Sequence, residues 1–216
     1  MCPRRRPAST ASVLYPGEVL PLYIDDHLLV LDKPAGLLAV PGRIDPDCLA
    51  TRAQALWPDV RVVHRLDQAT SGLMTFARGA EAQRVLSAAF AEQRVDKQYL
   101  AIVEGLLADD QGEIDLPLAA DWPNRPRQVV DPVRGKASRT RWRVLTRGNG
   151  WTRLELTPVT GRTHQLRVHL QAIGHPIVGD GLYGQGGPRL LLHAAHLTLP
   201  HPYHGRPVAF QSHAPF

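Results

Sequence analysis

Residues 64–72 have the sequence His-Arg-Leu-Asp-Gln-Ala-Thr-Ser-Gly and lie between two apolar segments, 60–63 and 73–77. Short apolar segments on either side of a polar one predict two strands joined by a turn. A turn benefits from glycine, but its geometry does not need a carboxylate, a guanidinium and two hydroxyls. Turns on rigid strands often carry catalytic groups. Asp67 is therefore a candidate catalytic residue, although for a loop aspartate taken alone the commoner role is to cap the turn while Arg65 is solvated.

The length and composition predict one large domain, or one domain with a small appendage, because the chain has 216 residues of which 44% are hydrophobic. No apolar run approaches the roughly 18 residues of a membrane span. The basic residues 1–6 are not followed by an apolar stretch, so they do not predict a secretory signal. Cys2 and Cys48 have neither a disulfide framework nor zinc spacing. These features favour a cytoplasmic protein.

The net charge of +5 favours a polyanionic partner such as nucleic acid. Only Lys33, Lys97 and Lys136 of the 25 basic residues are lysines, which leaves 22 arginines. Arginine binds phosphate through two hydrogen bonds and stacks on bases, which lysine does not. Genomic codon bias explains the excess of arginine equally well, so charge supports nucleic-acid binding without establishing it.

Local patterns predict helices and strands along the whole chain after a mobile tail at 1–20. Helical periodicity predicts three helices, at 47–57 capped by Asp47, at 80–94, and at 163–173 capped by Thr163 and ended by Gly174. Strands are predicted at 23–31 (a hairpin), 37–40, 60–63, 73–77, 97–103, 137–145, 151–157, 190–199 and from 208, and the segment 106–132 is predicted to be irregular.

The order of these elements predicts an α+β fold with one largely antiparallel mixed sheet and flanking helices, because strands come as hairpins without a regular βαβ alternation. Residues 21–216 are predicted to form this single domain, without an S4-type RNA-binding module. Arg139, Arg141 and Arg143 alternate along one predicted strand and share a face. That row could follow phosphates, or it could be an ordinary solvated face.

Four segments resemble, in the same order, the motifs of the RluA family of RNA pseudouridine synthases. They are Lys33-Pro34-Ala35-Gly36-Leu37, the segment 64–72, Lys97-Gln98-Tyr99, and Gly161-Arg162-Thr163-His164-Gln165-Leu166-Arg167-Val168-His169. The last motif continues in three shorter matches: Gly174-His175-Pro176-Ile177, Gly179-Asp180 and Leu191-Leu192-His193-Ala194. One motif would be weak support, but several in order at domain-length spacing make chance similarity improbable.

The resemblance implies an isomerisation that breaks the N1–C1′ bond of a uridine and joins C5 of the uracil to C1′. No atom is gained and no redox step occurs, so the resemblance implies no cofactor and no metal. His193 and His196 are not interpreted as metal ligands, because no third ligand is evident. The reaction needs a group that attacks while ionised, which suits Asp67.

The resemblance also assigns roles to other residues. It implies that Arg162 pairs with Asp67, that Tyr99 stacks on the uracil and assists removal of the C5 proton, and that Arg65 fills the space left by the flipped base. Whether Asp67 attacks C6 or C1′ stays open. Positions that contact RNA or line the pocket are implied for a further set: Thr70, Arg125, His164, Gln165, Arg167 and Leu192. The expected partner is RNA, with no membrane, no obligate protein partner and a monomeric state.

The segment Asp121-Trp122-Pro123-Asn124-Arg125-Pro126 points to a target within the family. It resembles an element of members with dual specificity, which modify a uridine of the tRNA anticodon loop and one in a similar loop of 23S rRNA. The resemblance therefore implies recognition of a short stem-loop by shape and by flipped bases. Other rRNA or tRNA uridines are the alternative.

Two different functions compete with this interpretation. A hydrolase could use Asp67 with a second acid, for which Glu155 is the candidate. A non-catalytic RNA-binding protein could retain the same fold, but the presence of Asp67, Tyr99 and Arg162 together argues against it.

Overall fold

A computed structural model describes residues 19–43 and 45–216 of the chain. The tail predicted at 1–20 lies almost entirely outside this range. The described residues form three helices, α1 (Leu49–Leu56), α2 (Ala80–Ala91) and α3 (Gln165–Ala172), and twelve strands: β1 (Pro21–Ile24), β2 (Leu28–Lys33), β3 (Val60–Val62), β4 (Ser71–Arg78), β5 (Asp96–Glu104), β6 (Gln111–Asp115), β7 (Leu118–Ala120), β8 (Gln128–Val130), β9 (Arg139–Arg147), β10 (Trp151–Pro158), β11 (Leu192–Pro200) and β12 (Pro207–Gln211).

Ten of the strands form one sheet in the order β1-β2-β4-β11-β5-β10-β9-β6, with β3 added on β4 and β12 on β11. Strands β7 and β8 form a separate hairpin. Within the described residues, every strand pair is antiparallel except β4 with β11. The predicted α+β class with a largely antiparallel mixed sheet is therefore confirmed.

Strand β2 is buried on both faces, which explains its uninterrupted apolar sequence Leu28-Leu29-Val30-Leu31. Side chains alternate across a strand. Leu29 and Leu31 pack in the cluster that contains α1, while Leu28 and Val30 pack in the cluster that contains α2. Helix α3 covers a third cluster, formed with β5 and β10. Helices on both faces thus hold the centre of the sheet rigid beneath the loops.

Three local predictions were wrong because distant or neighbouring groups decide them. The segment 106–132 contains β6, β7 and β8, whose pairing with β9 and with each other was not visible in so short an apolar pattern. Residues 37–40 form only an isolated bridge at Leu38 rather than a strand. Helix α1 is capped by Cys48, which exchanges hydrogen bonds with Thr51, whereas Asp47 pairs with Arg52.

Helix α3 also begins differently from the prediction. It starts at Gln165, and its N-cap is His164 in the left-handed conformation (φ 53°), not Thr163. Its end agrees with the prediction, since Gly174 follows the C-cap with φ +85°. The Arg139, Arg141 and Arg143 side chains share one exposed face, where they pair with Glu113 and Glu155.

The parallel junction between β4 and β11 brings the sequence motifs together. Ser71 and Gly72 follow the 64–70 segment directly, and they pair with His193 and Ala194. A β-carbon on Gly72 would lie 2.6 Å from the backbone nitrogen of Ala194 and closer still to its carbonyl oxygen, and Gly72 has φ +113°. Glycine is therefore required here both by backbone conformation and by the close approach of the two strands.

We expect Gly72→Ala to lower the free energy of unfolding by about 3 kcal/mol, since it combines backbone strain with overpacking. Gly150→Ala is the matched control, because Gly150 also has positive φ (+78°) but a β-carbon placed there would have no described atom within 4 Å. That control should lose only about 1 kcal/mol. Urea unfolding measures both. Equal losses in the two variants would contradict the close approach of β4 and β11.

Candidate active site

Asp67 lies in the loop between β3 and β4, and this loop is fixed at both ends. The backbone N–H of Thr70 donates to the Asp67 carbonyl at 3.1 Å, and Leu66 is buried in the core. His64 accepts a hydrogen bond from the Thr75 N–H at its Nε2 atom (2.9 Å) and stacks on Phe90. The Asp67 side chain is 22% exposed, so it faces an opening from a rigid loop.

Lys33 supports this loop from beneath. It is fully buried, and its ammonium donates to the carbonyl oxygens of Pro34, Leu37 and Gln68 at 2.9, 2.7 and 3.0 Å. Burial lowers the pKa of Lys33 to about 8, while the negative charge of Asp67 opposes that shift. Gly36 and Gln68 exchange two further hydrogen bonds. The first motif is therefore built into the support of the Asp67 loop.

A second set of hydrogen bonds lies at the beginning of β4. Arg189 donates to the Ser71 hydroxyl (3.0 Å), so Ser71 has its own proton available for Nδ1 of His193 at 2.9 Å. His193 Nε2 then donates to Ser212 Oγ (3.0 Å), and Ser212 donates to Asp32. Because arginine only donates and a carboxylate only accepts, the direction of the whole chain is fixed. It ties residue 212 to the strand that follows the loop.

The guanidinium beside Asp67 belongs to Arg167. Its Nη1 atom lies 3.4 Å from Asp67 Oδ2, while Nε and Nη2 each bond an oxygen of Asp180 at 2.7 Å. Burial disfavours charge on Arg167, but its bonds with Asp180 outweigh this and raise its pKa. The same bonds lower the pKa of Asp180 against the effect of burial. A bidentate buried pair thus orients Arg167 toward Asp67.

The expected pairing of Arg162 with Asp67 is not formed. Arg162 donates through Nε to the carbonyl of Ala137 at 3.2 Å, and its side chain is exposed at the edge of the cavity. The physical reason is that the backbone turns at His164, which has a left-handed conformation. Arg162, which precedes this turn, therefore extends in another direction than Arg167 on α3. The motif therefore supplies the guanidinium, but from a different position.

His164 lies on the other side of Asp67, with Nε2 at 3.9 Å from Oδ1. The Tyr183 hydroxyl accepts from the Gln128 N–H (2.7 Å) and forms a second hydrogen bond with His164 Nδ1 at 2.7 Å. Burial lowers the pKa of His164 although Asp67 opposes this.

These groups surround a cavity of about 440 Å³. Tyr99 lies in its wall, because β5 is paired with β10 and β11 at Leu156 and Ala194. Burial, with the charge of Asp67 adding to it, raises the pKa of the Tyr99 phenol, so the phenol stays protonated at neutral pH. The cavity combines a carboxylate, a neutral phenol and a guanidinium, which is a set suited to a planar, polar base.

The other predicted residues occupy varied positions. Arg65 is exposed at the cavity, whereas Thr70 and Leu192 are buried in its wall. Gln165 also borders the cavity, but its amide bonds Thr160, Arg162, Arg139 and Thr140, which fixes the turn before α3. Arg125 is outside the cavity, stacked on Trp122 in the β7–β8 hairpin.

Sequence reasoning did not identify Asp180 and Tyr183 as site residues. The match of Gly179-Asp180 to a continuation of the last motif is the available signal for Asp180. Tyr183 has none. In the part of the chain that the structure describes, no cluster of three His, Cys, Asp or Glu side chains could hold a metal ion. None of its helices has the length and apolar character that crossing a membrane requires.

Comparison with known proteins identifies the family. A family model for RNA pseudouridylate synthase matches residues 27–172. The chain belongs to this RNA pseudouridylate synthase family. It is therefore an isomerase that converts uridine in RNA to pseudouridine.

Individual relatives agree over most of the chain. It is 48% identical to the dual-specificity RNA pseudouridine synthase RluA of Yersinia pestis, over 90% of this chain and 98% of that protein. The RluA of Escherichia coli K12 is 46% identical, over 90% and 93%. The solved structure of human RNA pseudouridylate synthase domain containing 1 superimposes with a TM-score of 0.79 at 30% identity, covering 94% of this chain and 87% of that one.

Arg167 and Arg162 can be separated by conservative substitution. Arg167→Lys keeps the charge but cannot bond both Asp180 oxygens, so we expect kcat for pseudouridine formation to fall at least about 10-fold. Arg162→Lys is the matched control and should stay within about threefold in kcat, since its guanidinium does not reach Asp67. Urea unfolding verifies that both variants fold. A larger loss of kcat in Arg162→Lys would contradict the assignment.

His64 gives the protein a pH-dependent stability. Burial, assisted by the charge of Lys97, lowers the pKa of His64 to about 3. Between about pH 6.5, its value when unfolded, and pH 3, the unfolded chain binds a proton that the folded chain does not. Stability therefore falls as the pH falls through this window, by up to about 1.4 kcal/mol per pH unit.

We expect His64→Gln to be less stable at pH 7, because the imidazole that stacks on Phe90 is lost, but less sensitive to acid than the unmodified protein. Urea unfolding at pH 7, 6, 5 and 4 measures the two slopes. The buried residues His164, His169 and His193 also have lowered pKa values and are present in both proteins, so they cancel in the comparison. Parallel slopes would contradict the role of His64.

Proposed function

We propose that this enzyme isomerises a uridine in the loop of a short RNA stem-loop, in the tRNA anticodon loop and in a similar loop of 23S rRNA. The observation that carries the proposal is Asp67, a partly exposed carboxylate in the wall of a 440 Å³ cavity with Arg167 3.4 Å away. The dual specificity in the names of its relatives supports two RNA targets. Other uridines of tRNA or rRNA are the alternative within the family.

The reaction assigns work to each wall of the cavity. Asp67 attacks the uridine and forms a covalent bond to it, and the N1–C1′ bond breaks. The uracil turns so that C5 bonds to C1′, and the bond to Asp67 breaks, which restores the carboxylate. The proton on C5 then leaves and N1 of the turned ring carries a proton, so that substrate and product have the same atoms. Tyr99 stacks on the base, and its protonated phenol is placed to take part in a hydrogen bond to the ring. Arg167 provides positive charge beside Asp67.

A base inside a structured loop must leave its stack to reach Asp67. Arg65 is exposed at the cavity and carries a planar guanidinium, so it can occupy the space that the base leaves. Thr70, His164, Gln165 and Leu192 shape the cavity, and Arg125 and Arg162 lie outside or at its edge, where they can contact the RNA backbone. We propose that the chain acts as a monomer in the cytoplasm, where the proposed RNA targets are found.

The substitution Asp67→Asn tests the reaction. It removes the nucleophile but keeps the shape of the side chain, so we expect pseudouridine formation to fall below detection while stem-loop RNA still binds within about threefold. Mass spectrometry of the RNA product and a filter-binding titration provide the two measurements. Residual conversion at more than about one part in a thousand would contradict nucleophilic attack by Asp67. Release of free uracil would indicate a hydrolase instead.

The targets are tested in cells. Pseudouridine is mapped in tRNA and 23S rRNA from a strain that lacks the gene, and from the same strain carrying the gene or its Asp67→Asn variant. We expect loss at one anticodon-loop uridine and one 23S uridine, restored only by the unmodified gene. Loss in a single RNA class would replace dual specificity by a single target.

A further inference from the structure

A second groove, of about 550 Å³, lies next to the active-site cavity. The two depressions share Gly161 and Arg162 in their walls. The polar and aromatic side chains that line the second groove are Trp122, Gln128, Arg134, Lys136, Arg162 and Thr163. A polymer whose target residue enters the cavity would thus have neighbouring residues at the groove.

Trp122 is unusual for a tryptophan, because 68% of it is exposed. The hairpin turn is closed by backbone bonds between Asp121, Asn124 and Arg127, and Trp122 takes no part in those bonds. Arg125 stacks with its guanidinium carbon 3.4 Å from the centre of the indole ring. Trp122 lines the groove, whereas Arg125 does not. The indole is therefore held in place on one side and available on the groove side.

The charges in the groove match a phosphate. Its wall contains the cations of Arg134, Lys136 and Arg162, and among the described residues no Asp or Glu side chain lines it. Arg134 is paired with Asp131 at 2.9 Å, so Lys136 and Arg162 offer the less compensated charges. An aromatic plane beside two cations is the combination that binds one nucleotide of a single strand, base by stacking and backbone by charge.

The groove is also coupled to the reaction centre. Gln128, on β8 at the wall of the groove, donates its backbone N–H to the Tyr183 hydroxyl, which also forms a hydrogen bond with His164. His164 lies 3.9 Å from Asp67. A nucleotide on Trp122 would therefore rest on a hairpin that is fastened to the active site, which fixes the distance between it and the flipped uridine.

We propose that this groove binds a nucleotide of the RNA strand close to the flipped uridine, with its base stacked on Trp122 and its phosphate beside Lys136 and Arg162. The inference rests on the proposed function and adds a specificity-determining contact to it. Any base can stack on an aromatic side chain, so the groove would favour RNAs that have an unpaired base of any identity at a fixed distance from the target uridine.

The test is a binding cycle between the protein and stem-loop RNAs in which one loop base at a time is removed to leave an abasic nucleotide. The Asp67→Asn protein is used so that the RNA stays unconverted. We expect Trp122→Ala, added to it, to weaken binding of the intact stem-loop about 10-fold. At one loop position, removal of the base should weaken RNA binding by the Asp67→Asn protein by a similar factor. The same removal should leave RNA binding by the protein that also carries Trp122→Ala almost unchanged.

Two controls accompany the cycle. Trp122→Tyr keeps an aromatic plane and should bind within about threefold. Tyr203→Ala removes another exposed aromatic side chain, 76% exposed beyond the end of β11, and should leave RNA binding unchanged. Circular dichroism and urea unfolding verify the fold of each variant.

The outcomes separate this inference from the proposed function. Two results would contradict nucleotide binding in the groove, even if the unmodified enzyme makes pseudouridine in this RNA. One is a loss of affinity for abasic RNA that is the same with and without Trp122, and the other is unchanged RNA affinity of the Trp122→Ala variant. If the unmodified enzyme makes none, but the Trp122-dependent loss at one position persists, the groove is supported and the proposed RNA target is overturned.

Discussion

The site depends on the buried ion pair between Arg167 and Asp180, whose side chains are 5% and 0% exposed. Burying two charges costs several kcal/mol each, and only complete hydrogen bonding compensates for it. Here both Asp180 oxygens bond Arg167, and Oδ1 also accepts from the N–H groups of Leu182 and Tyr183. The pair therefore fixes the helix that carries Arg167 and the segment that carries Tyr183 in one geometry, and the third guanidinium nitrogen, Nη1, is directed at Asp67.

The charges of the two carboxylates at the site are balanced by two cations, one from early and one from late in the chain. Asp67 and Asp180 contribute two carboxylates, while Arg167 and Lys33 contribute two buried cations. Among the described residues, the hydrogen-bond partners of the Lys33 ammonium are carbonyl oxygens, so its charge is not neutralised locally and acts on Asp67. Lys33 lies beside the end of the Asp67 loop because it pairs with Gly72 between β2 and β4. Loss of any one of the charged groups would change both the folding of the loop and its electrostatics.

The sequence predicted the elements whose own side chains determine them, such as the amphipathic α2 and the apolar β2. It did not predict strands that depend on pairing with a distant strand. Strand β6 is an example, because it is formed by pairing with β9. The resemblance predicted that Arg162 would accompany Asp67, but the arginine beside Asp67 is Arg167. That choice depends on the left-handed backbone at His164, and an isolated histidine gives no signal for such a conformation. Asp180 became a site residue only through its contact with Arg167.

In the function that we propose, the residues for chemistry and those for recognition are held in different ways. Tyr99 is held by packing against the core, whereas Arg167 is held by buried hydrogen bonds to Asp180 and the Asp67 loop by the bonds from Lys33. Substitutions near these residues should therefore disturb the fold as well as the reaction. Arg65, Trp122 and Arg125 are exposed, and within the described part of the chain they lie outside the hydrogen bonds that hold Asp67. Because exposed residues tolerate change at little cost in stability, the RNA target can differ between relatives that share the reaction. The dual target that we propose fits this division, since the proposed stacking surface would accept different bases at the same position.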